Sequence, residues 1–233
     1  MADYTKIIVC LANSRKPPSG DRCVVGKEKL KRGYGDWIRP VSPRSSSGLS
    51  TRERHYQDGN EPRILDFMEV PMIGHRPALH QTENHVIDSG SYWRKTGEFP
   101  WADLPHLLDS PESLWSNGNS TNLGLNDQVT KEVAAGLQGS LFLIKPETLT
   151  VSVQLERKGF PDARRRVRAE FRYKGTKHIL VVTDPVAEKA FFAKDDGHYR
   201  IANTYLCVSL AGVNPNDGFC YKLVAAIISK QML

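Results

Sequence analysis

The sequence predicts an all-β protein with short helices: two β domains joined by a helical connector, the second a five-stranded barrel of the OB (oligonucleotide/oligosaccharide-binding) type. Three observations carry this. Two stretches of the last third alternate apolar and polar residues with period two. That third also follows the order three strands, helix, two strands. The first hundred residues hold short β-branched runs punctuated by Pro, Gly and Ser.

Taken in order, Lys6–Ala12 is rich in β-branched residues and opens the chain as a strand. Asn13 to Asp21 is a polar loop with two prolines and a glycine. Arg22–Gly26 and Asp36–Ser42 are further short strands, and residues 43–62 are a long polar loop. A loop of that length is either functional or disordered. Arg63–Val70 resumes as a strand, and from Pro71 to Trp101 the chain is irregular, with extended pieces at His85–Ile87 and Tyr92–Arg94. Ser110-Pro-Glu112 has the chemistry of a helix start: a capping hydroxyl, a proline at the first position, then an acid. Asp127–Leu137 is a second helical candidate. The expected domains are therefore 1–101, with long loops, a connector over 102–138, and a barrel over 139–233.

In that barrel Leu149, Val151, Val153 and Leu155 face inward, as do Val167, Ala169, Phe171 and Tyr173. His178–Thr183 is the third strand. Asp184-Pro185 starts a helix running to Phe192, and Thr204–Leu210 and Phe219–Ile228 complete the barrel. An SH3-like barrel lacks a full helix at that point.

The chain has 233 residues, 39% hydrophobic and 25% charged, which is ordinary for a folded soluble protein. The run Ile7–Ala12 is too short to span a bilayer, so no membrane partner and a cytoplasmic location are expected. Cys10, Cys23, Cys207 and Cys220 form no Cys-x-x-Cys pair, and His75, His80 and His85, five residues apart, share no face of a strand or helix. No metal or cofactor is expected.

The net charge of +6 is localised. Residues 139–233 carry 15 Lys and Arg against 9 Asp and Glu, whereas residues 1–138 carry 17 of each. A basic region of this kind favours a polyanion. Inward placement of Val167 to Tyr173 turns Arg164, Arg166, Arg168 and Arg172 outward together, with Glu170 between them. Arginine forks suit phosphates, and the outer face of the second and third strands is where OB barrels hold oligonucleotides. Few aromatics accompany the row, although single-strand binders use them for stacking.

A second polar cluster lies in the first domain. It gathers Ser14, Arg15, Lys16, Arg22, Cys23, Lys27, Trp37, Arg39, His80, Glu83 and Asn84: Lys16, Arg22, Lys27 and Arg39 could hold phosphates, Trp37 could stack on a base, and His80, Glu83 and Asn84 offer a donor, a carboxylate and an amide. Cys23 with His80 as base is a conceivable nucleophilic pair. No spacing demands it, and no catalytic step is legible.

The stretches Cys10-Leu-Ala-Asn-Ser-Arg-Lys16, Arg22-Cys-Val-Val-Gly-Lys27, Trp37-Ile-Arg-Pro-Val-Ser42, Ile64-Leu-Asp66, His80-Gln-Thr-Glu-Asn84 and Tyr221-Lys-Leu-Val-Ala225 together resemble the prokaryotic dual OB-fold domain family. The resemblance spans nearly the whole chain. It implies two OB-like barrels and a nucleic-acid- or nucleotide-related role, in a family associated with bacterial conflict; a larger effector protein complex is a further expected partner. It supplies no catalytic residues. The leading expectation is a nucleic-acid-binding accessory or targeting protein in defence or repair, acting on single-stranded or structured RNA or DNA. The rivals are a nucleotide enzyme or sensor with its pocket in the first barrel, and a scaffold docking an acidic protein.

Overall fold

The computed structural model of the protein describes residues 2–17 and 20–232, so Pro18 and Ser19 of the expected polar loop lie outside the described residues. The chain is mostly strand and divides into two compact units. One comprises residues 1–108 and 138–140, the other residues 109–137 and 141–233. No helix among the described residues is long and apolar enough to cross a membrane.

The first unit is built on β1 (Tyr4–Arg15), β2 (Arg22–Lys29), β3 (Tyr34–Val41), β4 (Asp66–His75) and β5 (Asn84–Ile87), with β6 (Arg94–Glu98) added to β4. The strand order is β1-β2-β3-β5-β4, and β1 pairs back onto β4 to close the barrel. The β3–β5 pairing is parallel and the rest are antiparallel. Its core gathers Ile8, Cys10, Val24, Ile38, Met68, Met72 and Ile87, the inward residues of these strands, with Trp93 just before β6. β1 and β2 approach so closely that a Cβ on Gly26 would lie 1.9 Å from the Val9 carbonyl oxygen. Only glycine fits there.

The expected loop at 43–62 is ordered and holds α1 (Thr51–Arg54). Its order comes from side chains. The Glu53 carboxylate accepts from Ser42 Oγ (2.6 Å), Arg44 Nη2 (2.7 Å) and the Ser50 amide (2.8 Å). Those donors, Arg44 foremost, hold its carboxyl down at about 2 against the opposing pull of burial. Arg54 is buried, donating to the Leu49 carbonyl and to both oxygens of Glu61. A 3-10 turn over Trp101–Leu107 ends this unit's main span, with Leu104 and Leu107 buried.

In the second unit β7 (Gln128–Thr130) and α2 (Lys131–Ala135) precede β8 (Leu141–Ile144), β9 (Thr148–Glu156), β10 (Arg164–Tyr173), β11 (Thr176–Val182), α3 (Pro185–Phe192), β12 (Gly197–Arg200), β13 (Tyr205–Val213) and β14 (Phe219–Ile228). Strands β9, β10, β11, β13 and β14 and helix α3 are the expected elements, but Leu155, expected to face inward, is exposed because the end of β9 runs past the core. Their order β9-β10-β11-β14-β13, with β11 parallel to β14, repeats that of the first unit. Asp184 caps α3 by accepting from the amides of Val186 (2.9 Å) and Ala187 (3.3 Å). Among the described residues no pairing joins β9 to β13. Instead β12 pairs β9 and β8 pairs β13, so the sheet is open with one extra strand at each end.

Residues 109–137, expected within a connector, pack into the second unit. Leu114 joins the barrel core beside Phe171, Leu180 and Val224. No helix forms at Ser110. Pro111 is held by the Tyr173 hydroxyl through its carbonyl (3.0 Å), Glu112 by Lys174 (2.9 Å), and Trp115 takes a positive φ that ends any helical run. The helix expected over Asp127–Leu137 shrinks to α2. Gln128–Thr130 pairs with β14, the Thr130 side chain caps the helix by accepting from the Val133 amide, and Gly136 closes it.

Candidate nucleic-acid interface

Antiparallel partners share a face. Arg164, Arg166, Arg168 and Arg172 lie opposite Glu156, Gln154, Ser152 and Thr148 of β9, so the four arginines share one face of the sheet. β12 extends it with His198 opposite Ser152 and Arg200 opposite Thr150, and β11 adds Lys177 opposite Arg172.

The four arginines are not equivalent. Arg164 and Arg172 are exposed, and Arg172 donates to the Gly175 carbonyl (3.0 Å). Arg168 departs from the expectation of an open row. It is 7% exposed and grips both carboxylate oxygens of Glu156 through Nε and Nη2. Arg166 is half-buried, with Nε 3.3 Å from the same carboxylate. Burial, and then the neighbouring Arg164, push its guanidinium below the ordinary value. Glu156 therefore neutralises the centre of the row and leaves free charge at its ends. Glu170 is occupied by Lys177 at 2.7 Å.

Sequence reasoning missed Glu156 because a lone acid at a strand end looks like ordinary polar punctuation. It also missed Phe160, which lies in the loop between β9 and β10 and is 60% exposed. A phenylalanine flanked by Gly159 and Pro161 in a basic loop was the available signal.

In the first unit the structure brings part of the second cluster together. Arg39 and Asn84 are partners across the parallel β3–β5 pair, and the Arg39 amide donates to the Glu83 carbonyl (2.8 Å). Arg39 Nη2 lies 2.9 Å from Glu83 Oε1 and donates to Ser140 Oγ (2.7 Å), whose own hydroxyl donates to Glu83. All four of these residues are buried. Ser140 is 101 positions from Arg39, which put it beyond sequence reasoning.

The remaining candidates spread along neighbouring strands. Ser14 is buried and donates to the Cys23 carbonyl (3.4 Å). Arg22 lies opposite Arg15 at the end of the β1–β2 pair. Lys27 faces Trp37 across β2–β3 with its ammonium 5.5 Å from the ring centroid. His80 is buried in the loop between β4 and β5. Lys16 is half-buried and donates to the Ser46 carbonyl (2.6 Å). Burial pushes its ammonium down, and Arg39 and Arg44 act in the same direction against Cys23 and Asp21.

His75 and His85 are cross-strand partners and stack with ring centroids 4.6 Å apart, and His85 Nδ1 meets the Tyr4 hydroxyl at 2.7 Å. Among the described residues no three His, Cys, Asp or Glu side chains converge as metal ligands. Asp66 is structural: its carboxylate takes the Tyr56 hydroxyl (2.8 Å), the Arg63 amide (2.9 Å) and Lys95 (2.7 Å).

Comparison with known proteins agrees with this architecture. No curated protein and no solved structure matches the chain. The model of one protein family, described as the dual OB-containing domain, matches residues 6–227 and so takes in both barrels. With two units that each follow the OB strand order and a match over nearly its entire length, the chain belongs to the dual OB-containing domain family.

Proposed function

We propose that the protein binds single-stranded or structured nucleic acid through the outward basic face of its second barrel, as an accessory or targeting protein in a bacterial defence or repair system. One observation carries the binding reading: the whole excess of positive charge belongs to residues 139–233, and Arg164, Arg172 and Arg200 are exposed along one sheet face there. The defence or repair setting rests on the family resemblance.

Guanidinium groups on a strand two or more residues apart can follow a phosphate backbone, and each contact releases counterions. The test is retention of labelled RNA and DNA on filters at low salt. The double substitution Arg164→Glu and Arg172→Glu is expected to abolish retention while leaving the fold intact, since both side chains are exposed. Undiminished retention overturns the reading. Arg168 is left in place, because its reversal would put like charge against buried Glu156.

A second reading is favoured by one local feature. Half-buried Lys16, just past β1, feels the like charges of Arg39 and Arg44, which are themselves paired with Glu83 and Glu53, and a nucleotide phosphate beside it would relieve that repulsion. Lys16→Ala is then expected to remove any thermal stabilisation by mononucleotides. The absence of stabilisation by any nucleotide in the unaltered protein counts against it.

A further inference from the structure

The basic face accounts for attraction to a polyanion but not for preference between a single strand and a duplex. The loop joining β9 to β10 supplies a chemical reason for such a preference. It is fixed by two successive turns: the Phe160 amide donates to the Arg157 carbonyl (3.0 Å), and the Ala163 amide donates to the Phe160 carbonyl (3.0 Å). Arg157 and Gly159 take positive φ values of 55° and 89°, which reverse the chain within a few residues. Arg157 is further held by Asp162 at 2.7 Å, with its guanidinium carbon 5.4 Å from the centroid of the Phe160 ring.

The consequence is an aromatic ring at the tip of a hairpin, 60% exposed although its loop is ordered. Leu155, at the end of β9, is also exposed. Exposing a phenylalanine to water is unfavourable, and an isolated ring at a loop tip contributes nothing to either core. Residues 156–166 carry five basic side chains against two acids. Glu156 is committed to Arg166 and Arg168, and Asp162 to Arg157.

We infer that Phe160, flanked by Arg157, Lys158 and Arg164, is a base-stacking platform that selects single-stranded nucleic acid. This rests on the proposed nucleic-acid function and adds its strand preference. A ring and a guanidinium held together can take an unpaired base by stacking, with the loop cations on the adjoining phosphates. A duplex keeps its bases stacked internally and offers the tip only backbone. Stacking does not distinguish base edges, so the preference is for strandedness and not for sequence.

The test uses fluorescence anisotropy with the full chain and three labelled probes of equal length: a thymine single strand, the same backbone without bases, and a duplex. Phe160→Ala is expected to weaken binding of the thymine strand about tenfold, to leave the abasic strand and the duplex within twofold, and to leave the salt dependence unchanged. Phe160→Tyr is expected to restore most of the loss. Equal affinity of the alanine variant and the unaltered protein for the thymine strand overturns the platform, as does an equal loss on the abasic strand. If Arg164→Glu with Arg172→Glu still abolishes binding of all three probes, only the stacking inference has failed. If the unaltered protein binds none of them, or binds polyglutamate as well as the thymine strand, the nucleic-acid reading falls and the platform with it.

Discussion

In the first unit β1 pairs with β4 over six residues from Tyr4 to Val9, whereas the corresponding strands of the second unit, β9 and β13, each take a different partner. The same strand order is thus completed in two ways. The first barrel closes on itself and removes its edges by pairing. Its tight geometry demands Gly26 and sends its longest insertion, residues 43–62, outward around Glu53 and Arg54. The second barrel stays open and is completed from outside its five strands. Residues 109–137 deliver Leu114 to its core, and β8 and β12 lengthen its sheet. The edge of β8 is blocked by Asp109, whose amide donates to the Leu143 carbonyl and whose carboxylate accepts from the Leu143 amide, both at 2.8 Å.

An open barrel can carry a wide, flat sheet face and a projecting hairpin, while a closed one concentrates its polar groups in buried sets. The charges follow that division. Arg39, Glu83 and Ser140 are consumed internally, and Arg164, Arg172 and Arg200 remain exposed.

The sharpest way to break the comparison is at Glu156. Glu156→Ala leaves buried Arg168 without its carboxylate and is expected to destabilise the second unit by about 3–5 kcal/mol. In denaturant this is expected as a separate early transition, with the Trp93 environment of the first unit unchanged; a single shared transition would join the two units into one cooperative system. The next effect is at the closed barrel. Gly26→Ala drives a methyl into the Val9 carbonyl and is expected to cost the first unit about 3 kcal/mol, read by the same denaturation.

Acid is expected to act on the second unit through His178. Burial, and then Lys222, push its imidazole down to about 4 from an ordinary value near 6.5. Its folded pKa is the lower one, so the associated stability is complete above about 6.5 and is lost as pH falls towards 4. The loss approaches about 3 kcal/mol at full protonation, and His178→Phe is expected to flatten stability over that window. His85 is lowered to a similar value but is half-exposed, so its contribution is expected to be smaller.

The parts of the fold that were legible in the sequence obey a local rule. Leu149 to Val153 and Val167 to Tyr173 alternate because one side of each strand meets the core, whereas Leu155 runs past it and is exposed, and Asp184 caps α3 with its own side chain. The parts that were not legible depend on remote partners. Ser110-Pro-Glu112 has helix-start chemistry but is drawn out of a helix by Tyr173 and Lys174, some sixty residues away. The apolar run of β8 has no alternation to reveal it, and β12 is short and polar. For the site, the shared face of the arginines follows from parity alone. Which of them is free depends on where Glu156 points, and that is settled by the β9–β10 register. Arg39, Glu83 and Asn84 were grouped by residue type, but the serine that completes the set comes from beyond the first barrel's strands.

The chain visits its two units alternately: the first to Leu108, the second to Leu137, the first again for Gln138–Ser140, and then the second to its end. Neither unit is therefore a module in the genetic sense. During synthesis the first barrel has all its strands by residue 98, yet the Ser140 hydroxyl that sits between Arg39 and Glu83 reaches it only some forty residues later. The first unit is thus finished only after the opening segment of the second has emerged, and no single cut separates two intact halves. Splitting this chain or exchanging its units has to move residues 109–140 as a crossing thread rather than as a linker.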